Sequence, residues 1–555
     1  MGVRFSVSTS SFSIFWLLLF LLAVLSVSPL LVRAEEPGSR DTLRVALNNE
    51  PPHFNPGLHS GTLTGLVGTQ LFAGLVRCDR NGVPGPYLAK SWQVSADGKK
   101  VEFVLQEEAL FHDGRPVLPR DVLFSIQTVR RYHPFSTMLS PIERMEVSGA
   151  HGFTIFLSYP YPALFQALTA ALTPIMPEHV YGNSEDIRTN PANWQVVGSG
   201  PFRLRSYQPG HAIVLERFEE FFIADRPLLR EIEFRIFSGP TEIIMALEAG
   251  DVQLTGFFPV LAGSRSLIWP EGLVSTTRGF AGIGAMLGIE LNVRRKPFDD
   301  VRVRRAFSLS IDRAFIAEYI LGPTGLAMDG PLVPGHRYYS PPPHPLHQDL
   351  EQANRLLDEA GYPRDEHGQR MTVAITALPN ARLLTRPLLE YLRYRLSRDI
   401  GVDLQLYEPP DLIAWGKRIA QEAYQMSLDI TFTWHEPMIG IHRLYESGNV
   451  RKGVVWSNIT GYRNPRVDEL LARAGRASSP RQRGEIYGTF QEILRQDCPM
   501  IWLATMPYST VYDRDLRGLN QGFWGLLAPM DTLYWAEAGA EAGTEAEGSG
   551  MQALP

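Results

Sequence analysis

Residues 198–222 read GSGPFRLRSYQPGHAIVLERFEEFF. Apolar and polar residues alternate through PFRLRSY (201–207) and again through HAIVLERF (211–218). That period of two is what a half-buried strand requires. Between the runs stands QPG, whose proline and glycine suit a tight turn. The stretch is therefore expected to be an antiparallel hairpin.

Outward from it, strands and helices are mixed. LRVALNN (43–49), VEFVLQ (101–106) and FTIFLS (153–158) carry the strand pattern. GTLTGLVGTQLFAGLVRCD (61–79) is helical through its middle. LPRDVLFSIQTVRR (118–131) puts Val122, Ile126 and Val129 on one helical face. Pro119 suits its first position and Asp121 the positive end of its dipole. DDVRVRRAFSLSIDRAFIAEYI (299–320) predicts one long amphipathic helix. DLEQANRLLDEAGYP (349–363) predicts another, capped by Asp349 and ended by Gly361 and Pro363. No internal repeat is found. This mixture predicts an α/β protein with mixed sheets, not a simple βαβ repeat.

The 555 residues are enough for two to four compact units. A net charge of −6 gives no basic face for nucleic acid. Arg4, the apolar run Phe15–Val27, and Val32 and Ala34 before a cut describe a secretory signal peptide over 1–34. The run is short for a membrane span, and no later segment is apolar enough to cross one. Cys78 and Cys498 have no zinc-ligand spacing, and sequence alone does not bring them together. The tail AEAGAEAGTEAEGSG (536–550) is acidic and lacks apolar bulk, so 537–555 is expected to be disordered.

Chemistry-bearing motifs are few. No G-x-S-x-G elbow, H-E-x-x-H or phosphate-cradling G-x-x-x-x-G-K occurs. GFAGIGAMLG (279–288) matches a dinucleotide loop only loosely, and His344 and His347 lie in a proline-rich loop. Asp113 in HDG reads as a turn former. No catalytic residue, metal site or cofactor is assigned. One cluster stands out: TFTWHEPMIGIH (431–442), with Trp434, His435, Glu436 and, further on, His442. Taken alone it fits a metal site, a catalytic site, the lip of a ligand pocket or an ordinary loop.

Four segments in order resemble the family 5 extracellular solute-binding proteins, which include dipeptide-, oligopeptide- and nickel-binding proteins of bacterial ABC importers. They are LFHDGRPVLPRDVLFSIQTV (110–129), GSGPFRLRSYQPGHAIVLERFEEFF (198–222), LNVRRKPFDDVRVRRAFSLSIDR (291–313) and EQANRLLDEAGYP (351–363). FNPGLHSGTLTG (54–65) and MALEAGDVQLTG (245–256) fit the same order.

The resemblance implies a class C periplasmic-binding-protein fold: two lobes with mixed sheets, an inserted subdomain and hinge closure on a ligand. Lobe I would comprise 41–57, 163–290 and 505–536, the insert 58–162, and lobe II 291–504. The function implied is that of a periplasmic receptor, in a Gram-negative bacterium, acting as a monomer. It would deliver a peptide or peptide-like solute to a membrane-embedded ABC permease. The implied ligand contacts are His59, Ser60 and Thr62 on one wall and Trp434, His435 and Glu436 on the other, with Trp456 and Trp524 as further pocket candidates. In the peptide-binding members an acidic residue pairs with the peptide amine; here that segment reads His435-Glu436-Pro437, and either Glu436 or Asp429 is available. The alternatives are a secreted hydrolase or metal-dependent enzyme on a similar scaffold, or a sensory binding protein.

Overall fold

A computed structural model describes residues 1–2, 41–259, 269–280, 282–322, 325–343, 347–379, 382–477, 479–506, 508–520 and 522–536. The acidic tail, His344 and all but the first two residues of the expected signal peptide lie outside the described residues.

The hairpin forms as its alternation requires. Phe202–Gln208 and Ala212–Arg217 pair antiparallel, with Gln208 opposite Ala212. Gly210 takes the left-handed backbone the turn needs, at φ 73°. The hairpin is the edge of a seven-stranded mixed sheet. Its order is Leu273–Thr276, Tyr508–Asp513, Leu254–Pro259, Thr42–Leu47, Glu231–Ile236, Ala212–Arg217, Phe202–Gln208. The central strand Thr42–Leu47 runs parallel to both neighbours. A four-stranded antiparallel sheet, Ala89–Val94, Lys100–Leu105, Gly152–Leu157 and Ile142–Val147, shares its hydrophobic core with this sheet.

A second core surrounds a five-stranded sheet ordered Val402–Tyr407, Met371–Thr376, Met426–Phe432, Ala285–Leu291, Met500–Thr505. All seven residues of Ala285–Leu291 are buried. Leu287, Ile289 and Leu291 pack to one side. Met286 joins Trp502 and helices Pro465–Arg476 and Pro480–Asp497 on the other. The two cores define two lobes. The expected divisions at 290/291 and 504/505 cut through strands of the second lobe's sheet. A strand buried on both faces loses the alternation that marks its ends.

Helix entries follow local chemistry. Pro119 opens Pro119–Tyr132, and the Asp121 carboxylate accepts from the Leu118 N–H at 2.9 Å. Asp300 caps Val301–Ser310 by accepting from the Arg302 N–H at 2.8 Å, and Asp349 caps Leu350–Glu359 through the Gln352 N–H at 2.8 Å. Asp113 accepts from the Arg115 N–H at 3.2 Å, a turn contact. The single helix expected over 299–320 is corrected. It stops at Ser310, Ile311 is extended, and Asp312 caps a new turn through the Phe315 N–H at 3.0 Å. An aspartate inside an amphipathic run offers the backbone an N-cap, and here the cap wins.

Candidate ligand-binding site

The stretch 431–442 lies where the two lobes meet. Strand Met426–Phe432 ends there, and the chain then turns through two successive left-handed residues, Trp434 (φ 50°) and His435 (φ 56°). Such a pair is costly in non-glycine residues and persists only where surrounding bonds hold it. The Trp434 N–H donates to the Ile283 carbonyl at 3.0 Å, and the His336 ring bonds the His435 carbonyl at 2.8 Å. The turn drives the Trp434 indole into the first lobe's core, 5.7 Å from the Phe135 ring and 5.6 Å from Trp524.

Glu436, His435 and His442 are each engaged within the chain. Arg483 donates to both Glu436 oxygens, to Oε2 at 3.2 Å, and Oε1 also accepts from the Met438 N–H at 3.2 Å. His435 Nε2 accepts from Arg337 at 2.9 Å while its ring stands edge-on to Phe523. Burial, with Arg337 and His336 nearby, lowers its pKa to about 3. His442 bonds the Tyr487 hydroxyl at 2.9 Å. The structure thus brings Glu436 to Arg483, His435 to Arg337 and His442 to Tyr487, and does not gather the three around one point.

On the facing wall, His59 Nδ1 accepts from the Gly61 N–H at 3.0 Å and lies 3.3 Å from the Thr64 hydroxyl. Ser60 and Thr62 are half-buried beside it, Thr62 opening helix Thr62–Leu71. His59 belongs to a row of rings that crosses between the lobes. Trp194 to His53 is 6.1 Å, His53 to His59 5.6 Å and His59 to Trp456 5.8 Å, each edge-on. Burial lowers both histidines to about 4, so the row is uncharged near neutrality.

Behind Trp456 stands a group that sequence reasoning missed. Arg443 is buried, donates to the Trp456 carbonyl and lies over the Phe135 ring at 4.1 Å. It faces two buried carboxyls, Glu290 and Asp429, close enough for their charges to act on each other. Burial raises both, Asp429 to about 7. Burial pulls Arg443 down to about 10, against the attraction of the carboxyls. His53, His133, Phe135, Trp194 and Arg443 carry no motif. They meet through contacts distant in sequence, and no local signal marks them.

The model of the bacterial extracellular solute-binding proteins, family 5 Middle, matches residues 83–452. The periplasmic oligopeptide-binding protein OppA of Haemophilus influenzae is 23% identical over 529 residues, covering 88% of this chain and 92% of that protein. NikZ from Campylobacter jejuni, solved with Ni(L-His), superposes with a TM-score of 0.77 at 23% identity, covering 88% of this chain and 98% of its own. A Pseudoalteromonas dipeptide binding protein, solved with Met-Leu, gives 0.78 at 20%, covering 89% and 100%. At these identities the likeness to the solved structures is one of fold: two lobes with mixed sheets and an inserted subdomain.

Proposed function

Because the chain belongs to family 5 of the bacterial extracellular solute-binding proteins, we propose that it is a periplasmic receptor which encloses a peptide or peptide-like solute between its lobes. It delivers that solute to a membrane-embedded ABC permease and performs no chemistry on it. The observation that carries this reading is the row of rings from Trp194 through His53 and His59 to Trp456, which joins the two lobes. Half-buried rings offer flat apolar walls with polar edges, suited to side chains and amide groups of a peptide. The names of relatives support the solute class, one an oligopeptide-binding protein and one solved with Met-Leu.

In this reading the first lobe is built on the seven-stranded sheet, the insert on the four-stranded sheet and the second lobe on the five-stranded sheet. His59, Ser60 and Thr62 belong to one wall and Trp456 to the other, while Trp434 anchors in the first lobe's core and His435 and Glu436 hold the turn through Arg337 and Arg483. Closure follows only if the solute prefers the closed arrangement to the open one. Native mass spectrometry of the purified monomer tests the reading. A co-purified peptide, released on unfolding and unaltered by prolonged incubation, supports it. A solute without peptide character, or turnover of an added peptide, overturns it.

A further inference from the structure

A cavity of about 330 Å³ opens on the second lobe where strand Met426–Phe432 begins. Its cations come from two segments. Arg295 and Lys296 stand in the connection after strand Ala285–Leu291, and Arg418 in helix Leu412–Ala420. Ala374, Tyr424 and Gln425 are also in its wall. The seven-residue strand Met426–Phe432 runs about 20 Å before the chain turns at Trp434, so the cavity stands at the strand end away from that turn.

Bonds within the chain fix its shape. The Gln425 amide accepts from the Ala374 N–H at 2.9 Å and donates to the Lys296 carbonyl at 3.0 Å. It thereby ties the connection carrying Arg295 and Lys296 to strand Met371–Thr376. Arg418 Nε donates to the Thr376 hydroxyl at 3.2 Å, and its guanidinium lies over the Tyr407 ring at 3.9 Å. A guanidinium held by Nε and by one flat face is pre-oriented, and its terminal nitrogens remain as donors.

Charge is not balanced locally. Among the described residues no carboxylate lines the cavity, and none pairs with Arg295, Lys296 or Arg418. Glu422 stands close by in sequence, but it is taken by Arg294 at 2.9 Å. Further cations flank the cavity. Lys417 is exposed beside Arg418, and the Gly453 N–H bonds the Ala420 carbonyl at 3.1 Å, which brings the exposed Arg451 and Lys452 to the end of the same helix. Three of the chain's six lysines, Lys296, Lys417 and Lys452, thus gather here, in a chain whose net charge is −6. Like charges held together without a counterion repel one another, and a bound anion relieves the repulsion.

We infer that the Arg295–Lys296–Arg418 cavity binds a phosphate group, supplied either as free phosphate or by the headgroup of an anionic lipid. The inference does not depend on the solute-receptor reading. A phosphate has enough charged oxygens to accept from two guanidinium groups and an ammonium together, which the two oxygens of one carboxylate do less well. The flanking cations extend the positive surface in the way a negatively charged bilayer attracts.

The purified chain is titrated with inorganic phosphate by calorimetry at low salt, with acetate as the anion control. It is also sedimented with vesicles of phosphatidylcholine, with and without phosphatidylglycerol. R295Q/K296Q and R418Q remove cations of the cavity. K99Q/K100Q removes as much charge as the first of these from beside the four-stranded sheet, and circular dichroism establishes that each variant folds. Phosphate or phosphatidylglycerol vesicles should bind wild type and K99Q/K100Q alike, and both cavity variants at least about tenfold more weakly. Binding of phosphate without the vesicles identifies free phosphate as the ligand. Binding of phosphatidylglycerol vesicles without phosphate identifies the lipid headgroup, and binding of both identifies a site open to either source. Acetate bound as tightly as phosphate, equal losses in K99Q/K100Q and the cavity variants, undiminished binding in either cavity variant, or no binding of either probe overturns the site.

Discussion

Arg483 and Glu436 form a two-point ion pair in a buried setting, with Nη1 3.2 Å from Oε2 and Nη2 on Oε1. Their side chains are 5% and 7% exposed, so water does not screen the pair. The Tyr338 hydroxyl accepts a further bond from Arg483 at 3.2 Å. Removing one partner leaves the other charge buried alone, which costs about 3–5 kcal/mol. Glu436→Ala is therefore expected to lower the stability read from urea unfolding by that amount. The double variant E436A/R483M should recover most of the loss. A Glu436→Gln protein with unchanged unfolding and a hundredfold loss of solute affinity would instead make Glu436 a direct ligand contact.

The Glu290–Asp429 pair predicts a pH dependence of stability. Burial raises Asp429 from its ordinary 3.8 to about 7, so the folded chain holds a proton that the unfolded chain releases. The stabilising effect of that proton is fully present below about pH 4 and is lost as pH rises through about 7. Buried histidines act in the opposite sense. His133, His435 and His442, each lowered to about 3, weaken the fold as pH falls below their ordinary value of 6.5. Comparing wild type with the double variant E290Q/D429N largely cancels the histidines and isolates the pair. The stability of wild type relative to the variant should fall between roughly pH 4 and pH 7 in urea titrations. A constant difference across that range would mean the pair does not take up a proton on folding.

Local chemistry was legible in the sequence and long-range chemistry was not. The hairpin at 198–222, the entry at Pro119 and Asp121, and the cap Asp349 depend on neighbours within a few residues, so their signals are local. The strand Ala285–Leu291 is buried on both faces and shows no period, so the lobe boundary expected at 290/291 falls inside it. Trp434 was visible as a candidate because it stands in an unusual cluster. His133 and Arg443 were not, because each looks ordinary in its own segment and only the tertiary fold brings them together. The partners of Glu436 and His435, Arg483 and Arg337, were hidden for the same reason.

The GSGPF stretch gives a packing prediction. Gly200 donates its N–H to the Leu71 carbonyl at 2.9 Å, holding the end of helix Thr62–Leu71 against the hairpin. A Cβ at Gly198 would stand 2.0 Å from the Leu71 carbonyl oxygen, and one at Gly200 2.4 Å from the Gln70 oxygen. These are backbone atoms, so no side-chain rotation relieves the clash. Gly198→Ala and Gly200→Ala should each lower stability by about 1–3 kcal/mol or more, measured by urea unfolding. Gly210→Ala serves as a comparison: its Cβ meets nothing within 4 Å, and its cost should come from the positive φ alone. If the Gly198 and Gly200 variants match wild type, the close approach does not constrain the fold.

Trp456 offers the sharpest separation of binding from folding. It is half-buried, lying 5.8 Å from His59 on one side and 5.8 Å from Trp415 on the other. Trp415, by contrast, is 1% exposed and belongs to the second lobe's core. A solute that binds the folded chain alone stabilises it by mass action, by about 2.7 kcal/mol at a hundredfold excess over Kd. Stripping the co-purified solute should therefore lower the melting temperature, and returning it should restore the loss. In Trp456→Ala the same solute concentration should give a gain smaller by about 1.4 kcal/mol or more, equivalent to a tenfold weaker Kd. Trp415→Ala should instead lower the stability of the solute-free protein by about 3–5 kcal/mol, since it empties a core site. An undiminished solute gain in Trp456→Ala would assign that ring to packing and remove it from the binding wall.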